Sequence, residues 1–134
     1  MIGKPMQDAM NEQINKELFS SYLYLSMAAY FEEKNLSGFG NWMRVQAEEE
    51  REHAMKFYDF ILETGGKVTL KAIDAPKTEW NSNLEVAEEV AAHAIQLIHD
   101  GVLFEGKRVK VDTLCLHGDH PRVVENAKLI RAKL

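Results

Sequence analysis

The feature that most constrains the fold is a run from Gln7 to Lys34 that contains no glycine and no proline. Leucine, methionine, alanine, glutamate and lysine are frequent in it, and all of them favour helices. Small or apolar residues recur along the run at steps of three and four: Ile14, Leu18, Ser21, Leu25 and Ala28. This spacing predicts one long helix with a stripe of residues that faces a core.

A second long helix is predicted after a break at residues 35–38, where Ser37 or Gly38 would cap it. It would run from about Phe39 to Glu63 and end at residues 64–66, because a glycine there can take the left-handed conformation that closes a helix. Its inward stripe would contain nine residues: Phe39, Met43, Gln46, Ala47, Glu50, His53, Ala54, Phe57 and Ile61. Residues 6–64 therefore predict an antiparallel hairpin of two long helices, which is half of a four-helix bundle.

The rest of the chain changes character near residue 83. Residues 66–83 predict a long connector that crosses a surface. A third helix is predicted from about Leu84 to His99, after a capping box at Ser82–Glu85. A strand at residues 109–116, a loop and a helix that begins near Pro121 would follow. The predicted fold class is mainly α, with a small helix–strand–helix α/β segment, and the predicted domains are residues 1–82 and 83–134.

Composition excludes several classes of function. The 134-residue chain has a net charge of −5, which argues against nucleic acid as a partner and favours cations. No stretch of about 18 apolar residues is present, so we expect no membrane span and no secretory signal. The one cysteine, Cys115, excludes an intrachain disulfide and suits a cytoplasmic location.

Two glutamates and a histidine are candidate metal ligands. Glu50 and His53 are three positions apart on the inward face of the second helix, and Glu17 falls on the stripe of the first. Burial of ionised carboxylates costs several kcal/mol without compensation, and neither stripe carries a lysine or an arginine. A cation would compensate, and this ligand set suits iron, manganese, zinc or another divalent metal. The alternative is a solvated charged face, because a Glu-x-x-His pair is common on helices.

Two segments, NEQINKELFSSYLYLSMAAYFE and GFGNWMRVQAEEEREHAMKFYDFI, together with the connector up to Glu79–Trp80, resemble bacterial and archaeal non-haem ferritins over about residues 5–82. The resemblance implies two bundle helices and a crossover, iron storage, and a di-iron centre that oxidises Fe(II) with oxygen in a shell of 24 subunits. By position, Glu17 and His53 resemble terminal ligands and Glu50 the bridging carboxylate. Glu49 resembles a weaker ligand of an accessory iron site, and Tyr24 the tyrosine beside the centre.

The family pattern stops before the centre is complete. A ferritin's third helix should bring another glutamate in an EHE-like stretch, whereas this chain has Ala92–His93–Ala94. Nothing in the sequence corresponds to the glutamate-rich ligand run of the fourth helix. We therefore expect that one chain by itself cannot assemble the family's complete di-iron centre.

The tail, residues 84–134, resembles the C-terminal end of the lactam-utilisation family of 5-oxoprolinase components, chiefly through DTLCLHGD at residues 112–119. Asp112, His117 and Asp119 would then lie at the carboxyl end of a strand, where α/β sites usually occur. The alternative is a loop in which Asp119 or His120 caps a helix. The simplest account of both resemblances is a hybrid chain joined near residues 82–85.

Three functional hypotheses follow. The first is ferritin-like iron binding, in which a homodimer of hairpins supplies the ligands of a di-iron site. Ferroxidase activity and iron storage are expected only if oligomerisation completes that site, and a dimer is favoured over a shell of 24 subunits. The second is a non-catalytic hybrid with vestigial ligands, and the third is a remnant of the 5-oxoprolinase component.

Overall fold

The computed structural model of the protein describes residues 1–100, 102–104 and 107–109. The predicted mainly helical fold is confirmed. Its elements in chain order are α1 (Lys4–Glu33), α2 (Ser37–Glu63), α3 (Asn83–Asp100), β1 (Val102–Phe104) and β2 (Lys107–Val109). The two strands pair with each other in a small sheet. Apart from Val109, the predicted strand at residues 109–116 lies outside the described residues, as does the predicted last helix.

Helices α1 and α2 form the predicted hairpin, with differences at their ends. Helix α1 begins three residues earlier than predicted, at Lys4, because Pro5 is tolerated in a first turn that has no helical partner for its N–H. The prediction that Ser37 or Gly38 caps α2 is wrong. Leu36 holds the N-cap position and makes no side-chain capping bond. The link between the helices depends instead on Asn35, whose φ of 57° lies in the left-handed region that asparagine tolerates.

The end of α2 follows the predicted glycine mechanism. Gly65 has a φ of 74°, in the left-handed region. Its N–H donates to the carbonyl of Leu62 at 3.0 Å, and the N–H of Gly66 donates to the carbonyl of Ile61 at 2.8 Å. This pair of bonds is the Schellman arrangement, which satisfies carbonyls that the helix end would leave without partners.

The core of the first unit lies between α1 and α2. Ile14, Ala54 and Ile61 form a buried cluster there. The predicted stripe fails at Leu25, half of which is exposed, whereas Tyr24 and Met27 beside it are buried. The stripe returns to the buried face at Ala28, its last predicted member, which is 1% exposed.

The connector after α2 runs along the surface of α1, as predicted. The side-chain amide of Asn11 holds it by donating to the carbonyl of Lys67 at 3.0 Å and accepting from the N–H of Thr69 at 2.7 Å. Farther along, Asn15 donates to the carbonyl of Ala72 at 3.3 Å. Near its end, Ser26 donates to the carbonyl of Lys77 at 2.7 Å. The polar side chains of α1 thus satisfy main-chain groups of an extended segment.

The chain divides into two compact units, with Met1–Glu79 in the first and Trp80–Leu103 in the second. Within the second unit, Ser82 caps α3 as predicted, but the return bond of the capping box is made to Asn81 and not to Ser82 itself. The N–H of Glu85 donates to the Ser82 hydroxyl at 3.1 Å, and the Glu85 carboxylate accepts from the N–H of Asn81 at 2.7 Å. None of the helices in the described part of the chain is both long and apolar enough to cross a membrane.

Candidate metal centre

Glu17, Glu50 and His53 converge in the hairpin, with one possible ligand atom from each lying within 4.8 Å of the others. His53 Nδ1 lies 3.2 Å from Glu50 Oε2 and 3.8 Å from Glu17 Oε2. These three residues are called the carboxylate–histidine cluster below. Two of them come from α2 and one from α1, so the cluster depends on how the two helices are aligned.

A hydrogen bond between the helices sets that alignment. The hydroxyl of Ser21 on α1 donates to the main-chain carbonyl of Ala47 on α2 at 2.6 Å. Ser21 follows Glu17 by one helical turn, and Ala47 precedes Glu50 by about one turn. Since the helices are antiparallel, this contact places Glu17 level with Glu50.

The carboxylates are shielded from water, but the imidazole is not. The side chains of Glu17 and Glu50 are 15% and 16% exposed, whereas that of His53 is 50% exposed. His53 was predicted on the inward stripe, and its half-exposed position differs from that prediction. The two helices enclose the carboxylates between them and leave the ring at the open edge of the cluster, where a further ligand would have access.

The pKa of Glu50 is raised from 4.5 to about 8. Burial is the largest cause, followed by its hydrogen bond with Glu17 and the negative charges of Glu17 and Glu49. At neutral pH, the carboxyl group of Glu50 therefore holds a proton, which its hydrogen bond with Glu17 stabilises. Among the described residues, the ion pairs of lysine and arginine involve other carboxylates. No lysine or arginine there compensates the charge of Glu17 or Glu50.

Tyr24 lies buried beside the cluster, only 6% exposed. Burial raises the pKa of its phenol, and the charges of Glu50 and Glu17 raise it further. The phenol therefore stays protonated at any physiological pH. A role for Tyr24 beside a metal centre stays a prediction.

Of the other predicted ligands, Glu49 lies among the described residues but is not part of the cluster. The carboxylate of Glu49 accepts from Gln46 at 3.2 Å and is not one of the three converging groups. Glu48 pairs with Arg51 on an exposed face at 2.5 Å. Glu48 thus lies on the solvated side of α2, whereas Glu50, two positions later, faces the hairpin. The alternative tail site, at residues 112, 117 and 119, lies outside the described residues.

Sequence reasoning missed Gln13, whose side-chain amide contacts the cluster. Gln13 Nε2 donates to Glu17 Oε1 at 2.7 Å, and Gln13 is only 8% exposed. The one signal in the sequence was its spacing, because a residue four positions before Glu17 lies on the same face of α1. Glutamine is not one of the carboxylate, imidazole or thiolate side chains that chiefly bind iron, manganese or zinc, so its spacing carried no weight in the sequence.

The comparisons with known proteins agree with the geometry of the hairpin. The sequence model of the ferritin-like domain family matches residues 7–100. A bacterial non-heme ferritin of Bacteroides fragilis is 46% identical over 93 residues, which are 69% of this chain and 58% of the relative. Another, of Staphylococcus saprophyticus, is 40% identical over 99 residues, 74% of this chain and 59% of the relative.

Solved structures give the same result for the fold. An open-pore ferritin from Archaeoglobus fulgidus matches with a TM-score of 0.71 and 49% identity, covering 74% of this chain and 61% of that chain. An engineered closed form of the Archaeoglobus fulgidus ferritin matches with the same TM-score and covers 60% of that chain. The present chain thus spans about three fifths of the length of these relatives.

The family match also extends farther than the resemblance predicted from the sequence. That resemblance was expected to end near residue 82, but the match continues to residue 100 and includes α3. These matches give no support to a junction with a 5-oxoprolinase-like tail. The predicted junction near residues 82–85 falls inside the family match, and the resemblance of the tail to a 5-oxoprolinase component stays a prediction.

Proposed function

Because the chain belongs to the ferritin-like family, we propose that it binds iron at the carboxylate–histidine cluster. The observation that carries this proposal is the convergence of Glu17, Glu50 and His53 within 4.8 Å. Two shielded carboxyl groups with no lysine or arginine paired to them among the described residues are costly to ionise, and a bound cation would remove that cost. Carboxylate oxygen together with imidazole nitrogen suits iron, although manganese and zinc are chemically acceptable to the same set.

A second copy of the chain would complete the site. Di-iron bundles use a glutamate from each of two helices and a Glu-x-x-His pair from each of the other two. One hairpin supplies half of this set through Glu17 and the Glu50–His53 pair. The half-exposed ring of His53 lies at the open edge, where a second hairpin would meet it. In the paired site, Glu50 would bridge the metals, and Glu17 and His53 would be terminal ligands.

Ferroxidase activity and iron storage follow only if pairing completes the di-iron site. A pair of chains is the smallest assembly with the full ligand count, so a homodimer or a larger homo-oligomer built from such pairs would satisfy the proposal. Tyr24 would stay a protonated neighbour of the metals, and Glu49 would be at most a weaker ligand outside the paired centre. The cytoplasmic location expected from the cysteine content is part of the same proposal.

Anaerobic Fe(II) titration combined with solution mass tests this function. We expect about one iron per chain and a paired or larger species. Glu50→Ala and Glu17→Ala should each abolish tight binding. Glu48→Ala is the matched control, because Glu48 lies on the same helix but pairs with Arg51 on the exposed face. A Glu50→Ala protein that still bound two irons per pair of chains with unchanged affinity would contradict the proposal.

A second candidate is a non-catalytic role. The chain would associate through its helices, and the three predicted ligands would be vestigial. The observation in its favour is the pKa of Glu50 near 8, because a shared proton can offset carboxylate burial without any metal. This candidate predicts weak iron binding, with stability unchanged or raised in Glu17→Ala and His53→Ala. A third, the 5-oxoprolinase remnant, depends on residues 112–119, which lie outside the described part of the chain.

A further inference from the structure

The two carboxylate oxygens of Glu17 have different partners. Oε1 accepts a hydrogen bond from Gln13 Nε2 at 2.7 Å. Oε2 faces the cluster, 3.8 Å from His53 Nδ1. From this division we infer that Gln13 is a positioning residue, which holds Glu17 so that it presents a single oxygen to the metal. The inference rests on the proposed function and assigns a role to a residue that is not itself a ligand.

The chemistry of an amide suits this role. The last torsion of a glutamate side chain is broad, so a carboxylate without a partner rotates freely. A hydrogen bond to one oxygen restricts that rotation, and it is stronger because Gln13 and Glu17 are both shielded from water. The amide carries no charge, so it leaves the negative charge of the carboxylate for the metal. A lysine at the same position would neutralise Glu17 and compete with the cation.

The placement on α1 makes the contact local. Gln13 precedes Glu17 by four residues, so the two side chains meet on one face of the same helix. The bond therefore forms without the approach of α2 or of a second chain. Glu17 is thus oriented before any metal arrives, which lowers the ordering cost of binding. Partners that orient a ligand in this way typically change metal affinity by about 10- to 100-fold when they are mutated.

Gln13→Met is the direct test, because methionine has nearly the volume of glutamine but no N–H donor. Gln7→Met is the matched control on the same helix. Gln7 also uses its side-chain amide, accepting from the N–H of Lys67 at 2.8 Å. However, it lies about 15 Å along α1 from Glu17, at a rise of about 1.5 Å per residue. Gln13→Asn keeps an amide but shortens its reach, and it provides a second variant if Gln13→Met folds poorly.

Co(II) is the probe, because its absorption spectrum reports coordination number and geometry as well as binding. We expect Gln13→Met and Gln13→Asn to weaken Co(II) binding by about 10- to 100-fold and to change the spectrum, as a freely rotating carboxylate adopts other binding modes. Gln7→Met should keep the affinity and spectrum of the unmodified protein. A Gln13→Met protein that lost only stability, with Co(II) affinity and spectrum unchanged, would overturn the positioning role.

A metal-free measurement separates this inference from the proposed function. In the NMR spectrum of the metal-free protein, the side-chain amide signals of Gln13 should shift and exchange faster in Glu17→Ala. Absence of that response would overturn the inference even if the protein bound iron. An unmodified protein that bound neither Fe(II) nor Co(II) would instead overturn the proposed function, and the positioning role with it, while the amide response still reported the hydrogen bond.

Discussion

The hydroxyl of Ser21 donates a hydrogen bond of 2.6 Å to the main-chain carbonyl of Ala47, and this contact joins the two long helices beside the cluster. The apolar contacts between α1 and α2 tolerate small sliding movements, because they have no preferred direction. A hydrogen bond to one particular carbonyl does not tolerate such sliding, because its strength falls steeply as its distance and angle depart from the ideal values. The contact therefore specifies which turn of α1 faces which turn of α2, and with it the meeting of Glu17 and Glu50.

Replacement of Ser21 by alanine should destabilise the protein by about 1 kcal/mol, the usual net value of one hydrogen bond. Ser20→Ala is the control, because the Ser20 hydroxyl donates to the Lys16 carbonyl of its own helix, at 3.1 Å. That change should cost less than Ser21→Ala, since the lost bond lies within one helix and alanine is the better helix former. Urea denaturation of both variants gives the comparison. Equal losses would show that Ser21 has no special part in joining the helices.

The stability of the metal-free protein should fall as pH rises between about 4.5 and 8. The folded protein holds the Glu50 proton up to a pKa of about 8, whereas the unfolded chain releases it near 4.5. In this window the folded state binds more protons, so each rise in pH favours unfolding. The stabilisation that the Glu50 proton contributes is fully present below pH 4.5 and is lost as the pH rises through about 8.

The free energy of unfolding, measured in urea with a chelator at about pH 5 and about pH 8, tests this dependence. Glu50→Gln should remove most of the decline, because the amide cannot release a proton. Glu48→Gln should leave the decline in place. The hydrogen bond from Arg51 lowers the pKa of Glu48 below 4.5. Glu48 therefore changes the free energy of unfolding only below this pH window. A decline of the same size in Glu50→Gln would assign the effect to another group.

Iron binding should release protons at neutral pH. Glu50 must give up its proton to become a ligand, because its pKa in the metal-free site is about 8. The apparent affinity for Fe(II) should therefore rise with pH up to about 8. Calorimetry in buffers of different ionisation enthalpy measures the protons released. Iron binding that released no protons at neutral pH would contradict the assignment of Glu50 as a ligand.

The connector should loosen near Lys67 and Thr69 when Asn11 is replaced by alanine. Asn11 is buried, and its amide holds the carbonyl of Lys67 and the N–H of Thr69. The loss should be about 1–3 kcal/mol, because the main-chain groups are left without these partners. Asn15→Ala, which removes one exposed bond of 3.3 Å to Ala72, should cost less than about 0.5 kcal/mol. Hydrogen exchange at the Thr69 amide should quicken only in Asn11→Ala.

Glycine at position 65 is required for its backbone angle. Gly65 has a φ of 74° and open space where a Cβ would stand, so Gly65→Ala should cost about 1–2 kcal/mol through the backbone alone. Gly38→Ala is the matched control. Its Cβ also meets nothing within 4 Å, but Gly38 lies in α2, where alanine gains up to about 1 kcal/mol. Thermal unfolding should show a lower Tm for Gly65→Ala and a higher Tm for Gly38→Ala. A lower Tm in both variants would contradict the backbone argument.

The sequence by itself determined the helices, the turn that ends α2 and the grouping of Glu50 with His53. These features are local. A run without glycine or proline favours one helix, a glycine accepts the left-handed angle of Gly65, and residues three apart on a helix share a face. Each follows from the chain's own geometry and needs no knowledge of what lies across from it.

Only the tertiary structure decided what each helical face meets. The exposure of Leu25 and the half-exposed ring of His53 were not foreseen from the sequence. Periodicity names the face of a helix that is apolar, but the alignment of two helices depends on individual contacts such as the one between Ser21 and Ala47. That alignment brings the carboxylates together, and their proximity and burial set the pKa of Glu50.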